Sequence, residues 1–90
     1  MANVPSAEKR NRQRQRRRQR NLAHKTKMRT HEKRVRTALA AKDAGQAREA
    51  LKTAISLIAR AAQRGVIKPK TASRHISRLT AAVNRLAQAH

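Results

Sequence analysis

Hydrophobic positions are spread unevenly along the chain. Twelve large aliphatic residues fall between Val35 and Leu86, whereas residues 9–20 contain no apolar side chain at all. The clearest pattern lies in the last third. Ala72, Ile76, Leu79, Val83 and Leu86 repeat at intervals of four, three, four and three, the seam of an amphipathic helix. Arg74, Arg78 and Arg85 fall together on its far side. Pro69 suits the first position of this helix, which is expected to run to about Ala89.

A second helix is expected upstream. Asp43 followed by Gln46 fits a capping box, with an acid in the place of the usual Ser or Thr. Gly45 in its first turn weakens the boundary. Ala47, Ala50, Leu51, Ala54, Ile55, Leu57, Ile58, Ala61 and Ala62 form a wide apolar stripe that suits two neighbours. Arg48, Glu49, Lys52, Ser56, Arg60 and Gln63 fill the opposite side. The helix should end near Arg64, with Gly65 as a left-handed residue and Val66 folded back onto the last turn.

The first helix is expected to start at Ser6, as cap, after an extended "MANVP", and to reach about Ala41, because no Gly or Pro interrupts this span. Glu8 would favour its first turn. Met28, Val35, Ala38 and Leu39 give it an apolar edge, which meets Asn21 and His24 when continued toward the N-terminus and so stops near Met28. Three helices with short connections predict an all-α, antiparallel three-helix bundle with a long N-terminal helix projecting beyond the core. We expect one domain over residues 1–90, with residues 1–27 as basic tail and arm and residues 28–90 as bundle.

Charge changes the picture. Lys plus Arg number 24 against four acids, a formal net charge of +20. Repulsion at that density calls for a polyanionic partner, nucleic acid first and an anionic membrane surface second. Within "KRNRQRQRRRQR", the groups Lys9, Arg10, Arg12, Arg14, Arg16, Arg17, Arg18 and Arg20 wrap most of a helical circumference. A helix charged all round is wrong for one flat duplex and suits insertion between several phosphate backbones, where the planar Arg fork binds oxygens bidentately. Mutual repulsion is expected to leave the stretch loose in the free protein and helical once phosphates neutralise it.

Other classes are disfavoured. Phe, Tyr and Trp are absent, which disfavours the usual stacking of bases on aromatic rings and leaves phosphate contact and shape recognition. Without cysteine there is no disulfide framework or thiolate metal site. No apolar run reaches the ~20 residues of a membrane span, and no signal-peptide core precedes Lys9, so a cytoplasmic protein is expected. A membrane-active helix would need an apolar face that residues 9–20 lack. No catalytic site can be assembled. Asp43 reads as a cap, Glu8, Glu32 and Glu49 as helix-surface acids, and the serines have no base around them. His24 and His31 are two helical turns apart, too far to share a metal, and His75 is expected either to edge the seam or to touch phosphate. No cofactor or metal is expected.

The chain resembles the family of bacterial small-subunit ribosomal proteins numbered twenty over essentially its whole length. The likeness is carried by "MAN", "SAEKR" at Ser6–Arg10, "RRQRN" at Arg17–Asn21, "MRTHEKRV" at Met28–Val35, "RGVI" at Arg64–Ile67 and "ASRHISRL" at Ala72–Leu79. It departs at Lys68, Pro69 and Lys70, where relatives show a His-Lys-Asn-like segment, and at His31 and Glu32, where they often carry apolar residues. The resemblance implies a three-helix structural constituent of the ribosome, monomeric there with few protein contacts. It would bind small-subunit ribosomal RNA directly and early in assembly, at the 5′ domain and the penultimate stem near the 3′ end. Lys9, Arg10, Arg17, Arg18, Asn21, Arg29, Thr30, Lys33, Arg74 and Arg78 match the family's RNA-contacting positions. Lys25, Lys27, Arg34, Arg36, Lys68 and Lys70 complete the candidate interface. The rival by charge alone is a DNA-compacting, histone-like protein, since backbone neutralisation is independent of sequence.

Overall fold

The computed structural model describes residues 4–89, with side chains from residue 6 onward. It contains three helices, α1 (Val4–Ala40), α2 (Ala44–Gln63) and α3 (Pro69–Ala89). The connections are short enough that each helix runs back along its predecessor. The first three residues of the expected "MANVP" tail lie outside the described residues. Its last two are helical, so Ser6 sits inside the first turn and does not cap it, and Glu8 falls beyond that turn. Pro5 explains the earlier start, because a first-turn position needs no N–H donor and the ring presets a helical φ.

The end of α1 is built on a residue that seldom takes this part. Lys42 has φ 57°, with its N–H on the Leu39 carbonyl (3.0 Å) and the Asp43 N–H on the Ala38 carbonyl (3.0 Å). This is a Schellman ending with lysine at the left-handed position usually given to glycine. Asp43 closes α1 with its backbone and opens α2 with its side chain, whose Oδ1 accepts from the Gln46 N–H at 3.1 Å. The expected capping box is therefore half formed, because the Asp43 N–H is already taken by α1. At the other end of α2 the expected ending is present in full. Gly65 has φ 76°, its N–H reaches the Ala62 carbonyl at 3.1 Å, and the Val66 N–H reaches Ala61 at 2.8 Å.

Helix α2 lies between the other two. Its buried residues Ala47, Leu51, Ala54, Ile58 and Ala61 alternate small and large at intervals of four and three. The alanines let α1 approach closely while Leu51 and Ile58 fill the gaps, and Ala54 and Ile58 have no exposed surface. From α3 come Ala72, Leu79 and Val83, with Ile76 and Leu86 packed at the edge as the seam predicted. From α1 come Met28, Val35 and Ala38, flanked by Leu39.

Helix α1 keeps one register throughout. Positions 14, 18, 21, 25, 28, 32, 35 and 39 step by four and three; the first four are Arg14, Arg18, Asn21 and Lys25, and the core begins at Met28. One core position is not apolar. Glu32 was expected on the helix surface but is 4% exposed, and its carboxylate meets His75 Nδ1 of α3 at 2.5 Å. It occupies the register step between Met28 and Val35, so its place is set by spacing, and His75 supplies the partner that a buried carboxylate requires. Contact between α1 and α3 is otherwise thin. The molecule measures 68 × 22 × 14 Å with a radius of gyration of 17.9 Å, against about 12 Å for a compact chain of this length.

Candidate nucleic-acid interface

Beyond the core, residues 6–23 are exposed on every side, about 27 Å of helix. Lys9, Arg10, Arg12, Arg14, Arg16, Arg17, Arg18, Arg20 and Asn21 all lie in this arm. Successive side chains are rotated by about 100°, so the cations surround the axis and cannot all meet one surface. Arg12 and Arg16 border one shallow groove together with Lys9, while Arg14, Arg18 and Lys25 border another beside the exposed Leu22. Leu22 is the one large apolar side chain exposed in the described structure.

The arm does not end abruptly at Met28. His24 and Lys25 are half-buried, and Arg64 at the end of α2 donates from Nη1 to His24 Nε2 at 2.8 Å. This contact places the second turn at the end of the core from which the arm emerges. Lys68 and Lys70, both exposed, therefore join the base of the arm.

The remaining candidates continue along the bundle. Lys27, Arg29, Thr30, Lys33, Arg34 and Arg36 are exposed on α1, as are Arg74 and Arg78 on α3. Arg36 and Arg78 flank the Glu32–His75 pair from the two helices. The Thr30 hydroxyl donates to the Thr26 carbonyl at 2.8 Å, which leaves it only lone pairs for a partner such as a ribose 2′-OH. His75 is engaged by Glu32 at the edge of the seam, the first of its two expected settings. Arg64 is absent from the sequence-based set of candidates. Its place in a turn masks it, and the half-polar continuation of the α1 stripe at Asn21 and His24 was the available signal.

Almost none of this charge is answered internally. Among the described residues the ion pairs are Lys52–Glu49 at 3.5 Å, fully at the surface, and His75–Glu32. Among the described residues no carboxylate pairs with a cation of the arm, and no cluster of His, Cys, Asp or Glu could hold a metal ion. No described helix is long and apolar enough to cross a membrane. The arrangement can bind and bridge polyanion backbones.

The sequence matches those of known proteins along nearly its whole length. The family model of ribosomal protein S20 matches residues 2–84. The small ribosomal subunit protein bS20 of Syntrophus aciditrophicus is 54% identical over 84 residues, covering 93% of this chain and 94% of that protein. The bS20 proteins of Geotalea uraniireducens (54% identity, 96% of this chain and 99% of that protein) and Desulfotalea psychrophila (52%, 99% and 100%) are similar. With a match that spans arm, turns and all three helices, the chain belongs to the ribosomal protein S20 family.

Proposed function

We propose that this chain binds small-subunit ribosomal RNA directly and stabilises its folded structure while the small subunit assembles. As a member of a ribosomal protein family it is a structural constituent of the ribosome and not an enzyme. The observation that carries the finer reading is the arm, in which uncompensated cations surround about 27 Å of helix anchored on a rigid bundle. Such a rod neutralises several backbones that converge on it. A single phosphodiester groove would leave half of its charges facing solvent.

In this reading residues 1–27 act as the inserted arm and residues 28–90 as the footing, with Arg74 and Arg78 on α3 and Lys68 and Lys70 at the turn holding adjacent RNA. The 5′ domain and the penultimate stem near the 3′ end are the segments bridged. Specificity arises from the shape of the folded RNA, since the deep A-form major groove is closed to side chains. Competition between the 5′-domain transcript and duplex DNA of equal charge tests the proposal. Preference for the RNA that survives at 150–200 mM salt supports it. Equal binding to both, fading together as salt rises, would replace it with the DNA-compacting reading.

A further inference from the structure

Four residues of α1 and Arg64, which caps α2, meet at the corner where the arm leaves the core. Arg17, Arg20, Asn21 and His24 are spaced by three and four, so they share the face of α1 that carries the core farther along. Helix α2 covers that face as far as its end at Arg64, and beyond that end the same face turns from apolar to polar. The five side chains line one concavity.

Three features make this corner more than a patch of charge. The Arg64 backbone is fixed, because its N–H caps α2 on the Arg60 and Ala62 carbonyls. Its guanidinium is aimed by the 2.8 Å hydrogen bond to His24, where Nε2 accepts and the ring proton therefore sits on Nδ1. A neutral ring orients the guanidinium without neutralising it, as a carboxylate would. None of Arg17, Arg20 and Arg64 pairs with a carboxylate among the described residues. Three undischarged forks and one amide therefore converge on a space with no anion of the protein's own.

We propose that Arg64, with Arg17, Arg20, Asn21 and His24, forms a cradle for one RNA backbone phosphate that ties the arm to the bundle. This rests on the ribosomal-RNA reading above. The phosphate oxygens take N–H donors from Arg64 on one side and from Arg17 and Arg20 on the other, and Asn21 donates through its amide. Because α2 and the arm then hold the same group, binding fixes the angle at which the arm enters the RNA.

The test compares Arg64→Gln with Arg60→Gln, an equal loss of charge four residues away on the exposed face of the same helix. The readout is affinity for the 5′-domain transcript at fixed salt. We expect Arg64→Gln to weaken binding about tenfold, as for lost charge-assisted hydrogen bonds, and Arg60→Gln by no more than about threefold. Arg64→Lys, which keeps the charge and loses the fork, should fall between them and guards against a folding defect. Combining Arg17→Gln with Arg64→Gln should cost less than the product of the single losses, because both groups hold one phosphate. Equal effects of Arg64→Gln and Arg60→Gln, with wild-type RNA preference intact, would overturn the cradle alone. Loss of that preference in the wild-type protein would overturn the ribosomal-RNA reading and the cradle with it.

Discussion

Lys42 and Gly65 hold the same backbone conformation at the two turns, with φ of 57° and 76°. The left-handed region costs a residue with a Cβ about 1–2 kcal/mol, and glycine is free of that cost. Lys42→Gly should therefore stabilise the fold by up to about 1 kcal/mol, and Gly65→Ala should destabilise it by about as much. Nothing lies within 4 Å of a Cβ built at Gly65, so the second effect is conformational and not steric. Urea unfolding measures both, and opposite signs are the expected result. Glu32 offers a sharper contrast, with a side chain 5% exposed beside a His75 that is 34% exposed. His75→Ala strands a buried carboxylate and should cost about 1–3 kcal/mol. Glu32→Leu removes the charge along with its need for a partner and should cost less. The reverse order would mean that the pair contributes more than the satisfaction of one buried group. The sequence announced Gly65 because glycine favours this conformation, and it hid Lys42 because lysine does not. It hid Glu32 as well, since residue type argued for the surface while the spacing from Met28 to Val35 pointed inward.

At the scale of elements, α2 and α3 were legible nearly to the residue, because alternating seams, Asp43, Gly65 and Pro69 all agree on their limits. Helix α1 was legible in extent but not at its first turn, where Pro5 allows a start that the Ser6 cap signal obscured. The three helices share a core in which Ile58 and Val35 are completely buried. Ile58→Ala should destabilise the fold by about 2–4 kcal/mol, a large fraction of what so small a domain has, as read by urea or thermal unfolding. The arm should behave in the opposite way. Replacing Arg14, Arg16, Arg17 and Arg18 together by Gln removes four exposed charges and no packing, so thermal unfolding should stay nearly unchanged while RNA binding weakens. A large loss of stability in the free protein would contradict the division between arm and bundle. Relieved of repulsion, the same variant should be at least as helical as the parent in circular dichroism.

For the whole molecule, a charge of +20 is spread over a body 68 Å long, with its densest run of cations, Lys9–Arg20, in the projecting arm. The need for a polyanion was plain from composition, and the absence of Phe, Tyr and Trp argued against stacking of bases on such rings. Family membership narrows that polyanion to a ribosomal setting. The corner built by Arg64 was not legible, because it depends on where α2 stops against α1, a tertiary fact that no local pattern encodes. The central claim is that the arm acts by displacing counterions from converging phosphates, and the salt dependence of binding to the 5′-domain transcript measures this directly. With about eight phosphates engaged, the slope of log affinity against log salt should be roughly −6 to −7, and shallower by about 3 in the four-fold Arg→Gln variant. A wild-type slope near about −2, or one that the variant leaves unchanged, would show that the arm's charge does not carry the binding.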